Sequence, residues 1–165
     1  KEEGLFLDTS IANNMFMANY NRISRKGILR KKLKKNFLNT FFSKLDIRPN
    51  DPEKPARDFS GGNQQKAIIA REIDRSCDLL LVVQPTRGLD VGAIEYIHKR
   101  IVEERDKGRA ILLVSFELDE IMNLSDRIAV IHDGELNGLV YRKDTDENEL
   151  GLMMAGSIKK VEAVI

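Results

Sequence analysis

The sequence predicts an α/β fold, in which a mostly parallel sheet carries an antiparallel edge hairpin and is joined to a helical subdomain. Two continuous apolar runs, LLLVV at 79–83 and AILLV at 110–114, are separated by one helix-length stretch. That order is typical of neighbouring parallel strands that are buried on both faces. RIAVIH and ELNGLVY flank Asp133-Gly134, which favours a type I′ hairpin turn. Residues 21–76 contain no comparable apolar run and are predicted to be helix and loop.

In the first third of the chain, the predicted elements rest on helix capping, apolar periodicity and proline content. Ser10 is a natural N-cap for the stretch that follows it. Apolar residues recur at helical spacing between Leu29 and Leu45, with lysines between them. The predicted elements are a short strand or extended lead-in at 4–8, a helix at 10–20, a loop at 21–27, an amphipathic helix at 29–45 and a loop with three prolines at 46–58.

The remainder of the chain alternates helices and strands. Gly108 lies where a helix would end, since glycine readily adopts the left-handed conformation that follows many helices. The predicted elements are a helix at 61–75, a buried strand at 79–83, a helix at 91–107, a buried strand at 110–114, a helix at 117–124, the hairpin, and a helix at 145–155.

Composition limits the class of protein. The chain has 165 residues, which suits one domain or part of a larger one. Hydrophobic residues make up 42% and charged residues 32%, as in globular rather than disordered chains. No apolar run reaches the roughly 18 residues that a membrane span requires. Cys77 is the only cysteine, so no internal disulfide is possible, and we expect a buried structural thiol in a reducing compartment.

The charge is uneven along the chain. Residues 22–35 carry eight basic and no acidic side chains, although the net charge of the whole chain is only +1. Such a run has three possible interpretations: a solvated helix face, a contact with a membrane surface or partner, or nucleic-acid binding. The solvated face is favoured, because no RNA-binding motif, helix-turn-helix signal or zinc spacing accompanies the run. We therefore expect no nucleic-acid partner.

The sequence predicts no metal site. His98 and His132 are the only histidines; His98 is predicted on a helix surface and His132 at the end of a strand before the turn. The acidic stretch at 144–149 lacks the central glycine and the spaced closing glutamate of a calcium loop. Those acids are better explained as the start of a helix, where they face the positive end of its dipole.

An anion site is predicted at the start of the helix at 61–75. In the stretch DFSGGNQQK, Ser60 is the N-cap, and Gly61 and Gly62 leave the backbone open to close approach by a ligand. The unpaired N–H groups and the helix dipole favour a phosphate there. The motif alone is weak, but it is followed by one helix, an apolar strand and the segment PTRGLD, and that combination is specific.

These residues resemble the nucleotide-binding subunit of ATP-binding cassette (ABC) transporters. FSGGNQQK is similar to the family signature, LLLVVQP to the Walker B strand, GLD at 88–90 to the D-loop, and LLVSFELDE to the H-loop region. The residues of SGGNQQK and PTRGLDVGAIE are most similar to those in the second half of tandem ATPases that energise import of simple sugars and nucleosides. Among these ATPases, the basic-membrane-lipoprotein nucleoside branch is nearest. Residues 58–140 carry the resemblance most specifically.

The resemblance implies a partial P-loop NTPase-type domain. No G-x-x-x-x-G-K-[ST] motif occurs, so we expect the Walker A segment to lie upstream in a longer protein. The implied parts are a helical subdomain at about 21–76, a RecA-like core at about 77–140 and a helical tail at about 141–165. For lack of the Walker A loop, we expect this chain to hydrolyse no ATP on its own.

Three positions depart from the family pattern. Val83 stands where an aspartate would hold the magnesium shell, and valine has no oxygen to offer a hard cation. Gln84 stands where a glutamate would polarise the attacking water, and an amide cannot accept the proton. Phe116 stands where a histidine would bond the γ-phosphate. All three belong to the half-site that acts on the domain's own nucleotide, so we expect it to be degenerate.

The remaining motif residues are intact. In the family, two domains dimerise head to tail around ATP and Mg²⁺, and the resemblance therefore implies that Ser60, Gly61, Gly62 and Asn63 serve the partner's ATP, with Asp90 at the dimer seam. It further implies a first nucleotide-binding domain in the same chain, permease subunits, an indirect solute-binding lipoprotein, and a place on the cytoplasmic face of the membrane. The alternative is a soluble ABC-family ATPase of nucleic-acid repair or translation, which a long inserted coiled coil would favour.

Overall fold

A computed structural model describes residues 4–18, 20, 24–25, 28–29, 36, 38, 42, 47–75 and 77–161. The helices are α1 (Ile11–Met17), α2 (Gly61–Ile73), α3 (Val91–Asp106), α4 (Leu118–Leu124) and α5 (Glu147–Met154). The strands are β1 (Ser24–Arg25), β2 (Ile28–Leu29), β3 (Leu79–Val83), β4 (Ala110–Val114), β5 (Arg127–His132), β6 (Glu135–Tyr141) and β7 (Lys160–Val161). Within these described ranges, short 3₁₀ helices lie at Ala56–Asp58 and Arg142–Asp144.

The chain divides into two compact units. The first unit comprises residues 1–80 and 85–110, and the second comprises 81–84 and 111–165. Within the first unit, α2 packs against both α1 and α3. Its core is an apolar cluster built largely by α1, α2 and the residues just before α2. The main members are Ile11, Ala12, Met15, Phe16, Leu38, Phe42, Ile47, Ala56, Phe59, Ala67 and Ala70.

The short helix at the start of the chain forms as predicted, but residues 4–8, predicted as a short strand or extended lead-in, form turns and bends. Ser10 caps α1, and its side chain accepts a hydrogen bond from the Asn13 amide at 3.2 Å. The buried Asn14 side chain accepts from the Phe6 amide at 2.7 Å and donates to the Phe6 carbonyl at 3.0 Å. These bonds hold the segment in turns, because an asparagine amide can replace the backbone partners that a strand would need.

Part of the loop predicted at 21–27 is a strand in the structure. Ser24–Arg25 pairs antiparallel with Ile28–Leu29, so Leu29 lies in a strand and not at the start of a helix. Most of the amphipathic helix predicted at 29–45 lies outside the described residues. Residues 36, 38 and 42 are helical, and Leu38 and Phe42 are buried as the periodicity requires.

Strands β3 and β4 are parallel neighbours, as predicted. The Ala110 amide donates to the Asp78 carbonyl at 2.9 Å, and the Gln84 amide donates to the Val114 carbonyl at 2.8 Å. The prediction that both faces of these strands are buried is wrong. Alternate residues of each strand are exposed, so the described residues cover one face only.

The edge hairpin was predicted correctly. Strands β5 and β6 are antiparallel, with a register shift between Val130 and Ile131. At the turn, Asp133 and Gly134 have φ values of 47° and 80°, the left-handed conformation that a type I′ turn requires. Strand β7 adds to β6 in parallel and was not predicted. The second unit's core contains Ile128, Val130, Val140, Leu150 and Met153.

Candidate nucleotide-binding site

The N-terminus of α2 is arranged to accept an anion. Ser60 has extended backbone angles, and its Oγ accepts from the Asn63 amide at 3.4 Å and from Asn63 Nδ2 at 3.0 Å. A hydroxyl accepts two bonds and donates one, so the Ser60 proton remains available to a ligand. No acidic side chain lies in the first turn of α2 to offset the positive end of its dipole. The site therefore favours a negatively charged group.

The loop before α2 is held by side chains of the motif itself. Gln64 Nε2 donates to the carbonyls of Ala56 at 3.0 Å and Phe59 at 3.1 Å. Asn63 Oδ1 accepts from the Arg48 amide at 3.2 Å. Sequence reasoning did not assign Gln64 a role, although an amide in the first turn of a helix is well placed to bond the chain that leads into it. These bonds orient the Ser60 hydroxyl before any ligand arrives.

Asp90 lies beside the glycines of α2. It caps α3, where its Oδ1 accepts from the Ala93 amide at 2.9 Å. A Cβ built on Gly62 would lie 3.4 Å from Asp90 Oδ2 and 3.2 Å from Ala93 Cβ. The structure thus brings together Ser60, Gly62 and Asp90, which are separated by a helix and a strand in sequence. All of them lie in the first unit.

Val83 is the last residue of strand β3 and Gln84 follows it; both lie in the second unit. Val83 is exposed, and Gln84 has a φ of 49°, a left-handed conformation that non-glycine residues seldom adopt. Gln84 Nε2 is buried and has no hydrogen-bond partner among the described residues. Strained backbone and unsatisfied polar atoms are concentrated at functional positions in proteins. This conformation was not foreseen from the sequence, because periodicity carries no information on φ.

Phe116 follows β4 in the same unit, with 73% of its surface exposed. Neither Phe116 nor Val83 has an oxygen or nitrogen side-chain atom for a metal or phosphate. The described residues contain no group of three or more His, Cys, Asp or Glu side chains that could hold a metal ion. His132 Nδ1 is 2.8 Å from the Met154 carbonyl, which gives this histidine a structural contact. The residues present therefore do not fit a magnesium site at the end of β3.

Comparison with known proteins supports the resemblance seen in the sequence. No protein-family model matches the chain. The chain is 52% identical over 161 residues to the guanosine import ATP-binding protein NupO of Bacillus subtilis strain 168, covering 96% of this chain and 32% of NupO. It is 51% identical to the nucleoside import ATP-binding protein NupA of Lactococcus lactis subsp. cremoris strain MG1363, covering 93% of this chain and 31% of NupA.

Two solved structures share its fold. One, the ATP-binding subunit of an ABC transporter, has a TM-score of 0.72 at 19% identity and covers 92% of this chain and 64% of the solved one. The other, a dimeric bacterial ABC transporter cassette, has a TM-score of 0.71 at 18% identity, with 86% and 60% covered. The chain is a homologue of import ATP-binding proteins and has the ABC ATPase fold.

The chain spans about a third of the length of the curated relatives that it matches. The predicted fold class and the resemblance to nucleoside and sugar import ATPases are confirmed. No helix in the described parts of the chain is long and apolar enough to cross a membrane.

Proposed function

We propose that the cassette is an ATP-binding module of an importer for nucleosides or simple sugars, and that it completes the ATP site of a partner domain. The names of NupO and NupA, with about half of the aligned residues identical, support the nucleoside class. A ribose import ATP-binding protein of Bacillus licheniformis, at 42% identity, supports the sugar class. The observation that carries the proposal is the N-terminus of α2, where the Ser60 hydroxyl and the first-turn amides are held in place and the first turn itself contains no acidic residue.

The chemistry of this site suits the γ-phosphate of ATP. Backbone N–H groups at a helix N-terminus are fixed donors, and they stabilise negative charge without rearranging. Gly61, which is partly exposed, lets phosphate oxygens approach these donors closely, and Ser60 adds a hydroxyl donor. Gly62, for which the same role was predicted, is instead buried against Ala93. Asn63 is engaged by Ser60 and Arg48, so we assign it to orienting Ser60 as well as to lining the site.

The cassette's own half-site is proposed to be degenerate. Val83 offers magnesium no ligand, and Gln84 can orient a water molecule but cannot take its proton at neutral pH. Phe116 supplies no hydrogen bond from its side chain. The strained backbone of Gln84 supports the view that this position keeps the geometry of a catalytic strand end after its carboxylate was replaced.

This proposal implies an assembly of two ATP-binding cassettes with permease subunits. ATP and Mg²⁺ would be bound by a head-to-tail pair of cassettes, the partner being a first nucleotide-binding domain in the same protein. A solved neighbour is a dimeric ATP-binding cassette bound to ADP and phosphate. Permease subunits, and through them a solute-binding lipoprotein, would place the cassette on the cytoplasmic face of the membrane. Asp90 would lie at the cassette seam, because it adjoins the α2 N-terminus.

The proposal is tested by two substitutions at Ser60 in the full-length protein reconstituted with its permease. Ser60→Arg places a large side chain where the phosphate would lie, and it should lower the ATPase rate at least about 10²-fold. Ser60→Ala removes the helix cap, worth about 1 kcal/mol of stability, but leaves the amides open. It should therefore keep more than about a tenth of the rate. Equal rates for Ser60→Arg and the wild type would exclude a phosphate at α2.

A further inference from the structure

Asp90 places one carboxylate at the N-termini of two helices. Its Oδ1 caps α3 by accepting a hydrogen bond from the Ala93 amide at 2.9 Å. Its Oδ2 lies 3.4 Å from the position that a Cβ on Gly62 would take, in the first turn of α2. Because residue 62 is a glycine, no side chain of its own separates this oxygen from the start of α2. An acidic group from α3 therefore adjoins the helix end that we assign to a phosphate.

The negative charge of Asp90 is not neutralised by its neighbours. Among the described residues, the Asp90 carboxylate forms no ion pair, and its hydrogen bond with the Ala93 amide uses Oδ1 only. Arg87, which is exposed and lies three residues earlier, is not paired with it. Since a helix N-terminus attracts negative charge, Oδ2 partly satisfies the dipole of α2 when no ligand is bound. A phosphate that enters this position must approach a fixed charge of its own sign.

We infer that Asp90 is a built-in competitor of phosphate, which lowers the affinity of the α2 site for a phosphate group. The inference rests on the proposed function, because it concerns the same phosphate. Like charges a few ångströms apart repel each other, and at an exposed site this repulsion changes an affinity by about three- to tenfold at low salt. Free phosphate is then released readily from α2, whereas ATP is also held by the partner domain through the rest of its structure.

The cap of α3 and the competitor role depend on different properties of Asp90. Capping needs a side-chain oxygen, which asparagine supplies about as well as aspartate. Competition with phosphate needs the negative charge, so Asp90→Asn removes the competitor and keeps the cap. Asp146→Asn is the matched control. Asp146 is also exposed and caps α5 by accepting from the Glu149 amide at 2.8 Å, but no phosphate is assigned to α5.

The test uses the full-length protein reconstituted with its permease. The measurements are the apparent KM for ATP and the inhibition by inorganic phosphate, each at about 0.05 M and about 0.5 M salt. At the lower salt concentration, Asp90→Asn should lower the KM about three- to tenfold and strengthen phosphate inhibition by a similar factor. At the higher one, both differences from the wild type should shrink below about twofold, because salt screens the charge. A purely structural role of Asp90 would not give this salt dependence.

Asp146→Asn should leave both measurements unchanged at either salt concentration. Asp90→Ser, which also caps a helix without a charge, should repeat the result of Asp90→Asn and replaces it if that variant fails to fold. An unchanged or raised KM in the neutral Asp90 variants, or an equal change in Asp146→Asn, would overturn the inference. If Ser60→Arg abolishes turnover while Asp90→Asn leaves the KM unchanged, the phosphate site stands and the competitor role is rejected. If Ser60→Arg is tolerated, the proposed function fails, and the competitor role fails with it.

Discussion

Gly62 at the start of α2 lies against Ala93 in the first turn of α3, so closely that a Cβ on Gly62 would be 3.2 Å from the Ala93 Cβ. The same added carbon would be 3.4 Å from Asp90 Oδ2. This glycine of the proposed phosphate-binding turn is therefore also the contact point between α2 and the cap of α3. A change at Gly62 should alter both helix packing and the geometry of the site.

The first prediction concerns this contact. Gly62→Val should destabilise the cassette by about 1–3 kcal/mol, because the branched side chain would push α3 away from α2. Urea unfolding followed by circular dichroism measures the loss. Gly92→Val is the matched control: it lies in the first turn of α3, and its Cβ would meet Asp90 Oδ1 at an ordinary 3.5 Å. Similar losses for both variants would show that β-branching, not the contact with Ala93, is responsible.

The second prediction concerns the buried Glu104. Its carboxylate accepts from Arg109 at 3.0 Å and from Lys107 at 2.5 Å. The Arg109 guanidinium also donates to the carbonyls of Ile73 at 2.8 Å and Arg75 at 2.9 Å, which ties the end of α2 to the residues after α3. Glu104→Gln leaves a partly buried guanidinium short of its counter-charge. It should therefore lower the free energy of unfolding by about 2–3 kcal/mol.

A control for Glu104 lies one residue earlier on α3. Glu103 is partly exposed and pairs with Arg100 one turn before it. Glu103→Gln should change stability by no more than about 0.5 kcal/mol, since pairs of this kind contribute little. Hydrogen exchange adds a local readout: Glu104→Gln, but not Glu103→Gln, should speed exchange of the Asp74 and Arg75 amides. Equal effects of the two substitutions would contradict the assigned role of Glu104.

The third prediction is a pH dependence in the second unit. The Thr145 hydroxyl, which donates to Glu149 at 2.7 Å, and then Lys160, at 3.0 Å, lower the pKa of Glu149 below its ordinary 4.5. A carboxyl with a lowered folded-state pKa stabilises the fold fully above its unfolded pKa. That contribution is lost as the pH falls through the folded pKa. The stability of the second unit should therefore decline below about pH 4.5.

Substitution at Thr145 isolates that effect. Thr145→Val removes the hydroxyl, so the Glu149 pKa should move back towards 4.5 in a carboxyl-carbon NMR titration. The acid limb of thermal unfolding should flatten with it. Glu147→Gln, in the same helical turn, is the control and should leave the Glu149 titration nearly unchanged. An unaltered Glu149 pKa in Thr145→Val would show that the hydrogen bond is unimportant.

Local signals in the sequence predicted most helix and strand positions. Ser60 and Asp90 cap helices with their own side chains, and Asp133-Gly134 fixes the hairpin turn, so these features depend on neighbouring residues alone. The turns at 4–8 were missed because the side chain that holds them, Asn14, lies on the next helix. Local sequence patterns do not reveal hydrogen bonds between a side chain on one element and the backbone of another segment.

The residues of the proposed site were chosen from the sequence, and their binding role stays a prediction; their conformation was not foreseen. Motif spacing located Ser60, Gly62 and Asp90, and the structure brings them together. The left-handed backbone of Gln84 depends on the tertiary position of the strand end, which no spacing encodes. Apolar runs likewise indicated that Leu112 and its neighbours are core residues, but not which segment covers them. The exposed face of β4 therefore appeared only in the structure.

The assignment of an intact signature and a degenerate half-site is tested most directly by two substitutions in the full-length protein with its permease. The measurement is the transport-coupled ATPase rate of Ser60→Arg and of Gln84→Ala under identical conditions. We expect Ser60→Arg to lower the rate at least about 10²-fold, because it blocks the one competent site. Gln84→Ala should lower it far less, since a site that already carries Val83 and Phe116 has little left to lose. A protein that tolerates Ser60→Arg but loses turnover with Gln84→Ala would contradict the account and reverse the two roles.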